Sequence, residues 1–519
     1  MNNMTLRQEV AQLVMPRLEG PHLDDPRMFS KVQTLVEEGI GGFILFGGTI
    51  EYTPRQLQQL QSFAALPLLI ASDIERGLGQ QLRGGTRFPG QRAVTAAIKR
   101  RSKKDVGLLD KMLDAIRIET RAAGIHAVFS PVVDVNNNPR NPIICTRSFG
   151  DDPEAVAWFG SHYIQRFQKE SGKGRLELLA CAKHFPGHGD TDQDSHSVLP
   201  VIHATRTRLN QVELPPFRRM IQDGVGMVMV AHLLVPALEP EKPTTFSKKT
   251  ITALLREGME FDGLIVSDAL NMGALNGICS PEETAVRALE AGIDILLHPH
   301  DALATIGAVV SAVESGRLTR NRIRESVERV LAAKSCLGLF DSPESSDRTI
   351  DYQKHGRIAA EIGKKAIEVL SVKKNTLPLR REAGVACFVF DDDNQSNSGD
   401  MFIRAMKERF KYLTAMVVTP NSDIPESFIM DCLATAEYVV IGILSQISAS
   451  KGHSGISDRL HKHISSLLKN AKTAKAKRIV ISFDSPYVLK LFRDADAHIA
   501  AYDRMDEIQQ ATAALLARR

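Results

Sequence analysis

The chain has 519 residues, of which 43% are hydrophobic and 24% are charged, as expected for a soluble globular protein with a large domain and a smaller one. Its 65 basic and 61 acidic residues leave a formal net charge of +4, which excludes the strong field of a nucleic-acid-binding or membrane-surface protein. No apolar stretch reaches the roughly 18 residues of a membrane span. We therefore expect neither a nucleic acid nor a membrane as a partner.

The first part of the chain alternates short apolar runs with segments of helical periodicity. The runs are 11–15, 41–46, 67–72, 127–133, 178–182, 227–231, 263–267 and 293–297. The helical segments include 108–123, 153–169, 207–223, 248–258 and 281–291. Buried parallel strands read as continuous hydrophobic runs because helices cover the sheet. Eight such runs predict an α/β fold with an N-terminal (β/α)8 TIM-type barrel, and an open doubly wound sheet is the alternative.

Reactive side chains follow most of these predicted strands. They are Asp73, Asp134, Lys183, His184, His232, Asp268 and His298. In a barrel the carboxyl ends of all strands meet on one face, where enzymes of this fold keep their active sites. An open sheet would spread the same residues along an edge. Convergence is the simpler explanation, and it favours the barrel.

The second part of the chain begins after a polar connector at 337–352 and a helical stretch at 353–371. A new α/β pattern follows, with predicted strands at 384–391, 412–419, 437–444, 477–483 and 497–502. We therefore predict a barrel domain at 1–340, a linker and connecting helix at 341–375, and a smaller α/β sandwich with a mostly parallel sheet at 376–519. We expect no catalytic site in the sandwich, because no cluster of acids, histidines or phosphate-loop glycines follows the ends of its strands.

The segment from Lys183 to His196 holds three histidines and three aspartates among glycines and a proline. Such polar density is costly to bury, so we predict a functional loop, with a purely structural loop as an alternative. A calcium loop would need glycine and glutamate where Ser195 and Val201 stand. A helical zinc pair is disfavoured by Pro186 and the glycine after it. We expect no metal and no cofactor.

The remaining hypothesis for this loop is acid–base catalysis by an aspartate–histidine pair. Asp194 and His196 lie two residues apart in an extended segment, so a modest bend lets the carboxylate contact one imidazole nitrogen. That contact fixes the tautomer and raises the basicity of the other nitrogen. The pattern thus predicts that His196 transfers protons.

The same loop resembles the signature of glycoside hydrolase family 3, in its β-N-acetylglucosaminidase branch, which reads K-H-F-P-G-H-G followed by D-S-H and L-P. The resemblance covers the whole barrel and, more loosely, Ser485–Tyr487 in the second domain. Its other motifs are Gly41–Phe46, Asp134–Asn136 with Asn141–Pro142, Arg147–Gly150, Val230–His232 and Val266–Leu270.

The resemblance implies a retaining glycosidase that removes a terminal β-linked N-acetylhexosamine. Asp268 matches the nucleophile, and His196 with Asp194 matches the acid/base. Taken alone, Asp268 at the end of a strand would also suit a helix N-cap. The matching residues that would hold the sugar are Asp73, Arg147, Lys183, His184 and His232. Each of these could instead form a structural salt bridge.

The substrate implied by the resemblance is a carbohydrate that contains N-acetylglucosamine, either a muropeptide of recycled cell wall or a chitin oligosaccharide. The chain departs from the family at Arg76 and Gln81, where glycine and arginine are usual, so sugar preference can be broader. Phosphorolysis, a β-glucosidase activity and a non-catalytic sugar-binding protein are the alternatives. The six cysteines show no CxxC spacing, which suits buried thiols in a reducing compartment better than a disulfide framework. The N-terminus has no apolar core of signal-peptide length, so we expect a cytoplasmic location.

Overall fold

The computed structural model describes residues 4–171, 174–341, 349–393, 398–423, 425–448 and 451–517. The chain divides into two compact units. The first, here called the barrel unit, comprises residues up to Phe88 together with 110–138 and 148–356. The second, the sandwich unit, comprises 89–109, 139–147 and the chain from Arg357 onward.

The barrel unit is built on parallel strands that follow one another around a ring. They are β1 (Val14–Met15), β2 (Arg17–Glu19), β3 (Gly42–Phe46), β4 (Leu69–Ser72), β5 (Ala127–Val128), β6 (Leu179–Phe185), β7 (Met227–Val230), β8 (Leu264–Ser267) and β9 (Leu296–Leu297). Neighbours from β2 to β8 pair in chain order, and β9 pairs with β1. A bridge between Val266 and Ile295 joins the last gap. The predicted TIM-type barrel is confirmed.

The helices alternate with these strands and continue into the second unit. The α-helices are α1 (Leu6–Ala11), α2 (Pro26–Glu37), α3 (Thr53–Phe63), α4 (Gln91–Ala97), α5 (Lys103–Ala122), α6 (Pro153–Phe167), α7 (Arg206–Gln211), α8 (Leu214–Gln222), α9 (Pro281–Ala291), α10 (Ala302–Glu314), α11 (Arg320–Cys336), α12 (Tyr352–Ala366), α13 (Asp400–Lys407), α14 (Glu426–Ala434), α15 (Asp458–Thr473) and α16 (Asp506–Leu516). Lys249–Glu257 forms a π-helix. In the described part of the chain, no helix is long and apolar enough to cross a membrane.

The first predicted strand is displaced in the structure. A capping box between Thr5 and Gln8 starts α1, which takes up the beginning of the predicted run 11–15. The strand follows instead as β1 and β2, which are separated by Pro16. Proline has no amide hydrogen to give to a ladder, and the two strands pair with different neighbours, β1 with β9 and β2 with β3.

The sandwich unit contains one mixed sheet between helices. Its strands are β10 (Glu368–Val372), β11 (Gly384–Asp391), β12 (Tyr412–Val418), β13 (Tyr438–Leu444), β14 (Lys477–Ser482) and β15 (Ala497–Ala500), in the order β10-β15-β14-β13-β11-β12. All pairs are parallel except β10 with β15. The predicted helical stretch 353–371 is wrong at its end, because α12 stops at Ala366 and an antiparallel edge strand follows.

The prediction that no cluster of acids follows the strand ends of the sandwich sheet is also wrong. Asp393 follows β11, Asp484 follows β14 and Arg504 follows β15, and the guanidinium lies 2.7 Å from Asp393 and 2.6 Å from Asp484. Lys451 adds a contact of 2.6 Å to Asp393. These residues are far apart in sequence, and the parallel strands bring their carboxyl ends together.

Candidate active site

Lys183 carries a charge on the face of the barrel where the strands end. It lies within β6, all of whose side chains are buried. Its ammonium contacts Asp73 at 2.7 Å and Glu75 at 2.9 Å, and its side chain is only 3% exposed. A buried ammonium needs such partners because an unpaired charge is costly away from water. Lys183 therefore joins the end of β6 to the segment that follows β4.

His184 is held by Asp134, a fully buried carboxylate. Asp134 accepts hydrogen bonds from the His184 ring at 2.7 Å, the His184 amide at 3.1 Å and the His188 amide at 2.7 Å. Burial raises the pKa of Asp134, but the histidines lower it more, and the net direction is downward. Because an ionised carboxylate only accepts, His184 Nδ1 carries a hydrogen.

Asp268 directly follows β8 and is half-buried. Its amide donates to the Val230 carbonyl at 2.9 Å, and its Oδ1 accepts the Ala269 amide at 2.8 Å. It does not cap a helix, because the next α-helix, α9, is capped by Ser280. The helix-cap alternative for Asp268 is therefore wrong.

The pKa of Asp268 falls to about 2. Burial raises it, but the imidazoles of His184 and His232, the Ala269 amide and the imidazole of His196 lower it more. Asp268 is therefore a carboxylate at neutral pH. Among the described residues, no hydrogen-bond partner is found for its Oδ2, so this oxygen is available to a substrate.

His232 lies beside Asp268 with both ring nitrogens engaged. Nε2 donates to the Ala269 carbonyl at 2.9 Å, and Nδ1 lies 2.6 Å from the Thr245 hydroxyl. Burial lowers the pKa of His232, so the ring is neutral and Nδ1 accepts from Thr245. Through Ala269, His232 positions the residue whose amide binds Asp268. Its direct contact with a sugar stays a prediction.

Asp194 and His196 form the predicted pair in the loop after β6. Asp194 is buried and accepts from the His196 amide at 2.9 Å and from its Nδ1 at 2.8 Å. The His196 side chain is 33% exposed. With Nδ1 directed at the carboxylate, Nε2 is the ring nitrogen for which no partner is found among the described residues.

Backbone hydrogen bonds fix this loop to the segment after Asp268. The Gly273 amide donates to the His196 carbonyl at 3.2 Å, and the Ala274 amide donates to the Ser195 carbonyl at 3.1 Å. A Cβ at position 273 would lie 2.4 Å from the His196 carbonyl oxygen. Only glycine permits this approach. Backbone hydrogen bonds therefore hold the loop that carries His196 against the segment that follows Asp268.

Gln81 stands where the motif that the sequence resembles usually has arginine. Its side-chain amide donates to the Asp73 carbonyl at 3.1 Å, and its carbonyl oxygen lies 3.5 Å from the Gly47 amide. Gln81 thus supports the backbone of Asp73. Arg147 belongs to the sandwich unit, where its guanidinium donates to the Ile143 carbonyl at 3.1 Å. The predicted sugar contact of Arg147 stays a prediction.

Sequence reasoning missed two residues that hold the site. They are Glu75, which pairs with Lys183, and Thr245, which holds His232. Asp134 was expected at a strand end, but its hydrogen bond to His184 was not predicted. Glu75 and Thr245 had none that distinguishes them from loop residues. Among the described residues, no group of three or more His, Cys, Asp or Glu could hold a metal ion.

A sequence profile described as glycosyl hydrolase family 3 N terminal domain matches residues 5–333. The chain belongs to glycoside hydrolase family 3. This family 3 chain is 28% identical to a β-hexosaminidase A from Pseudoalteromonas piscicida, over 89% of this chain and 83% of the relative. It is 30% identical to a β-N-acetylglucosaminidase/β-glucosidase from Cellulomonas fimi, over 68% of this chain and 63% of the relative.

The fold of this family 3 chain also matches a solved relative along its full length. That structure is a family 3 β-N-acetylglucosaminidase from Paenibacillus sp. str. FPU-7, with 30% identity and a TM-score of 0.83, over 99% of this chain and 97% of the relative. The relative has the same two-domain architecture. Family and relatives together make the protein a glycoside hydrolase acting on a carbohydrate.

Proposed function

We propose that this family 3 hydrolase is a retaining, exo-acting β-N-acetylhexosaminidase that releases terminal β-linked N-acetylglucosamine. The observation that carries the proposal is the attachment of the Asp194–His196 loop to Gly273, in the segment after Asp268. It supports an imidazole and an ionised carboxylate acting on one glycosidic bond. The names of the relatives, β-hexosaminidase A and β-N-acetylglucosaminidase, support the N-acetylated sugar.

In the first step Asp268 attacks the anomeric carbon and forms a glycosyl ester. His196 Nε2 gives its proton to the leaving oxygen, so the glycosidic electron pair departs with the aglycone as an alcohol. The pKa of Asp268, near 2, keeps it nucleophilic at neutral pH. Its Oδ1 is engaged by Ala269, so Oδ2 is the attacking atom.

In the second step the neutral His196 imidazole removes a proton from water. The hydroxide equivalent attacks the anomeric carbon from the face that the aglycone left, and Asp268 departs as carboxylate. Two inversions give net retention. Asp194 stabilises the imidazolium that forms and holds Nε2 in line. Asp73, Lys183 and His184 bind the sugar hydroxyls and the acetamido group in this proposal.

The substrate in the cell is proposed to be a muropeptide or a chitin fragment, met in the cytoplasm. None of the six cysteines forms a disulfide, and Cys145, Cys181, Cys387 and Cys432 are buried. The lack of disulfides supports a reducing compartment. A cytoplasmic hydrolase of this class would act on fragments of recycled peptidoglycan.

A second candidate activity is that of a β-glucosidase. The relative from Cellulomonas fimi has both activities in its name, and Gln81 supplies no charged donor near Asp73. Turnover of p-nitrophenyl N-acetyl-β-glucosaminide and p-nitrophenyl β-glucoside separates the two. We expect the N-acetylated sugar to react faster. A faster reaction with the glucoside would overturn the proposed sugar specificity.

The same assay tests the catalytic role of Asp268. Replacing it with alanine is expected to lower kcat/KM at least about a thousandfold, because the covalent step is lost. Asp262→Ala is the matched control, since this exposed carboxylate precedes β8 whereas Asp268 follows it. Equal activity of Asp268→Ala and wild type would contradict the mechanism. Release of sugar 1-phosphate in phosphate buffer would instead establish phosphorolysis.

A further inference from the structure

The sandwich unit has a crevice at the reversal point of its sheet. Its parallel strands, numbered along the unit from β11, lie in the order 2-1-3-4-5, with the reversal between β11 and β13. In open α/β sheets of this kind, ligands bind outside the carboxyl ends of the strands at that point. A cavity of about 460 Å³ opens there, within the range of about 300–1,000 Å³ that is usual for small-molecule sites.

Polar groups from separate segments line this crevice. They are Asp392, Asp393, Gln446, Ser448, Lys451, His453 and Ser457, with Pro420 as the apolar member. The aspartates follow β11, and Gln446 and Ser448 follow β13. The lining of the crevice therefore comes from segments that the fold brings together, and not from a single loop.

Ser457 gives a second, independent indication of a ligand. Its Oγ is buried, and no hydrogen-bond partner for it is found among the described residues. It precedes α15 without capping that helix through its side chain. The carboxylate of Asp392 already accepts the Ser457 amide at 3.1 Å. Native proteins rarely leave a buried hydroxyl without a partner, and Ser457 is one of the residues that line the crevice.

The charged groups of the crevice pair with one another, which narrows the class of ligand. Asp393 lies 2.6 Å from Lys451 and 2.7 Å from Arg504, and Asp392 lies 3.4 Å from Lys451. The carboxylates would repel an anion. Their pairing with cations leaves little for a metal ion, and no metal-binding group is found among the described residues. Carboxylate and amide acceptors beside hydroxyl and ammonium donors suit a neutral polyhydroxylated molecule.

From this arrangement we infer that the sandwich unit carries a second carbohydrate-binding site, which takes a neutral sugar through Asp392, Gln446 and Ser457. The Ser457 hydroxyl bonds a sugar hydroxyl, and Pro420 meets the C–H face of the ring. The site goes beyond the proposed hydrolysis in the barrel unit. It does not depend on which glycosidic bond that unit cleaves.

Hydrogen–deuterium exchange with mass spectrometry tests the site on the full chain. N-acetylglucosamine, which has no bond to be cleaved, is the probe, and glucose, inorganic phosphate and MgCl₂ are titrated in parallel. We expect the two sugars to protect peptides that contain Gln446–Ser448 and Lys451–Ser457. Protection confined to barrel peptides, or protection of these peptides by phosphate or magnesium, would overturn the inference. Protection of barrel peptides reports the proposed active site separately.

Ser457→Ala is the decisive variant, and its control is Ser465→Ala, an exposed serine within α15, the helix that Ser457 precedes. Removing a hydroxyl that has no partner leaves the melting temperature unchanged or higher without sugar. The sugar concentration for half-protection should rise about three- to tenfold, the effect of one neutral hydrogen bond. A lower melting temperature would show that the hydroxyl has a partner within the protein and would overturn the inference. An unchanged half-protection concentration would do the same.

Discussion

The carbonyl oxygen of His196 accepts the amide hydrogen of Gly273 at 3.2 Å. This bond connects the loop after β6 to the segment after β8, where Asp268 stands. Both segments leave the barrel at carboxyl ends of strands, which is where barrel enzymes assemble their sites. The bond therefore sets the position of the imidazole relative to the carboxylate through the backbone.

Gly273→Ala is expected to lower kcat at least about tenfold while the chain stays folded. The new Cβ would lie 2.4 Å from the His196 carbonyl oxygen, so the loop must move, and small displacements of catalytic groups are costly. Gly307→Ala is the control, because nothing lies within 4 Å of a Cβ there. Turnover of the aryl N-acetylglucosaminide and the melting temperature are measured for both. Full activity of Gly273→Ala would contradict a positional role for this contact.

Asp194→Asn is expected to lower kcat by about 10²–10⁴. The amide can present its NH₂ to Nδ1 and favour the wrong tautomer of His196, which Asp194 now holds at 2.8 Å. A dinitrophenyl leaving group needs little protonation, so formation of the glycosyl-enzyme should be affected much less with that substrate. The pH profile of kcat should also change. Equal losses for good and poor leaving groups would show that Asp194 acts only on the fold.

Lys183→Met is expected to destabilise the protein by about 3–5 kcal/mol, because it leaves the carboxylates of Asp73 and Glu75 without their buried cation. The lysine side chain is 3% exposed. Lys249→Met is the control, since Lys249 is 68% exposed in its pair with Glu239 and such pairs contribute less than about 1 kcal/mol. Denaturant unfolding compares the two. An equal loss of unfolding free energy in the two variants would mean that burial of the Lys183 ion pairs does not contribute to stability.

Lys334 predicts a pH effect on stability. Burial lowers its pKa from 10.5 to about 7, and its ammonium donates to Gln12 at 2.7 Å. Between these pH values the unfolded chain binds the proton and the folded chain does not, so stability rises with pH. Between pH 7 and pH 9.5, the free energy of unfolding of wild type should rise by on the order of 3 kcal/mol relative to that of Lys334→Met. Parallel pH profiles of the two proteins would contradict this.

The sequence was sufficient for elements whose pattern is local. The apolar runs at 41–46 and 227–231 became β3 and β7, because buried parallel strands are apolar throughout. The edge strand β10 was missed, since most of its side chains are exposed and no continuous apolar run marks it. Its antiparallel pairing with β15 is a tertiary contact that a local pattern does not contain.

The candidate site divides in the same way. Asp194 and His196 are two residues apart, so their contact could be predicted from spacing. The partnership of Lys183 with Glu75 joins two different strand ends, and nothing in either segment specifies it. The crevice of the sandwich unit was missed for this reason, because Asp393, Lys451 and Arg504 come from separate segments.

Mass spectrometry of a trapped glycosyl-enzyme tests the central claim most directly. A 5-fluoro N-acetylglucosaminyl fluoride carries its own good leaving group, while the ring fluorine slows hydrolysis of the ester, so the intermediate accumulates. We predict one added sugar per chain, located by peptide sequencing on Asp268 and absent from Asp268→Ala. A label on another carboxylate, or turnover with inversion and no label, would contradict the mechanism.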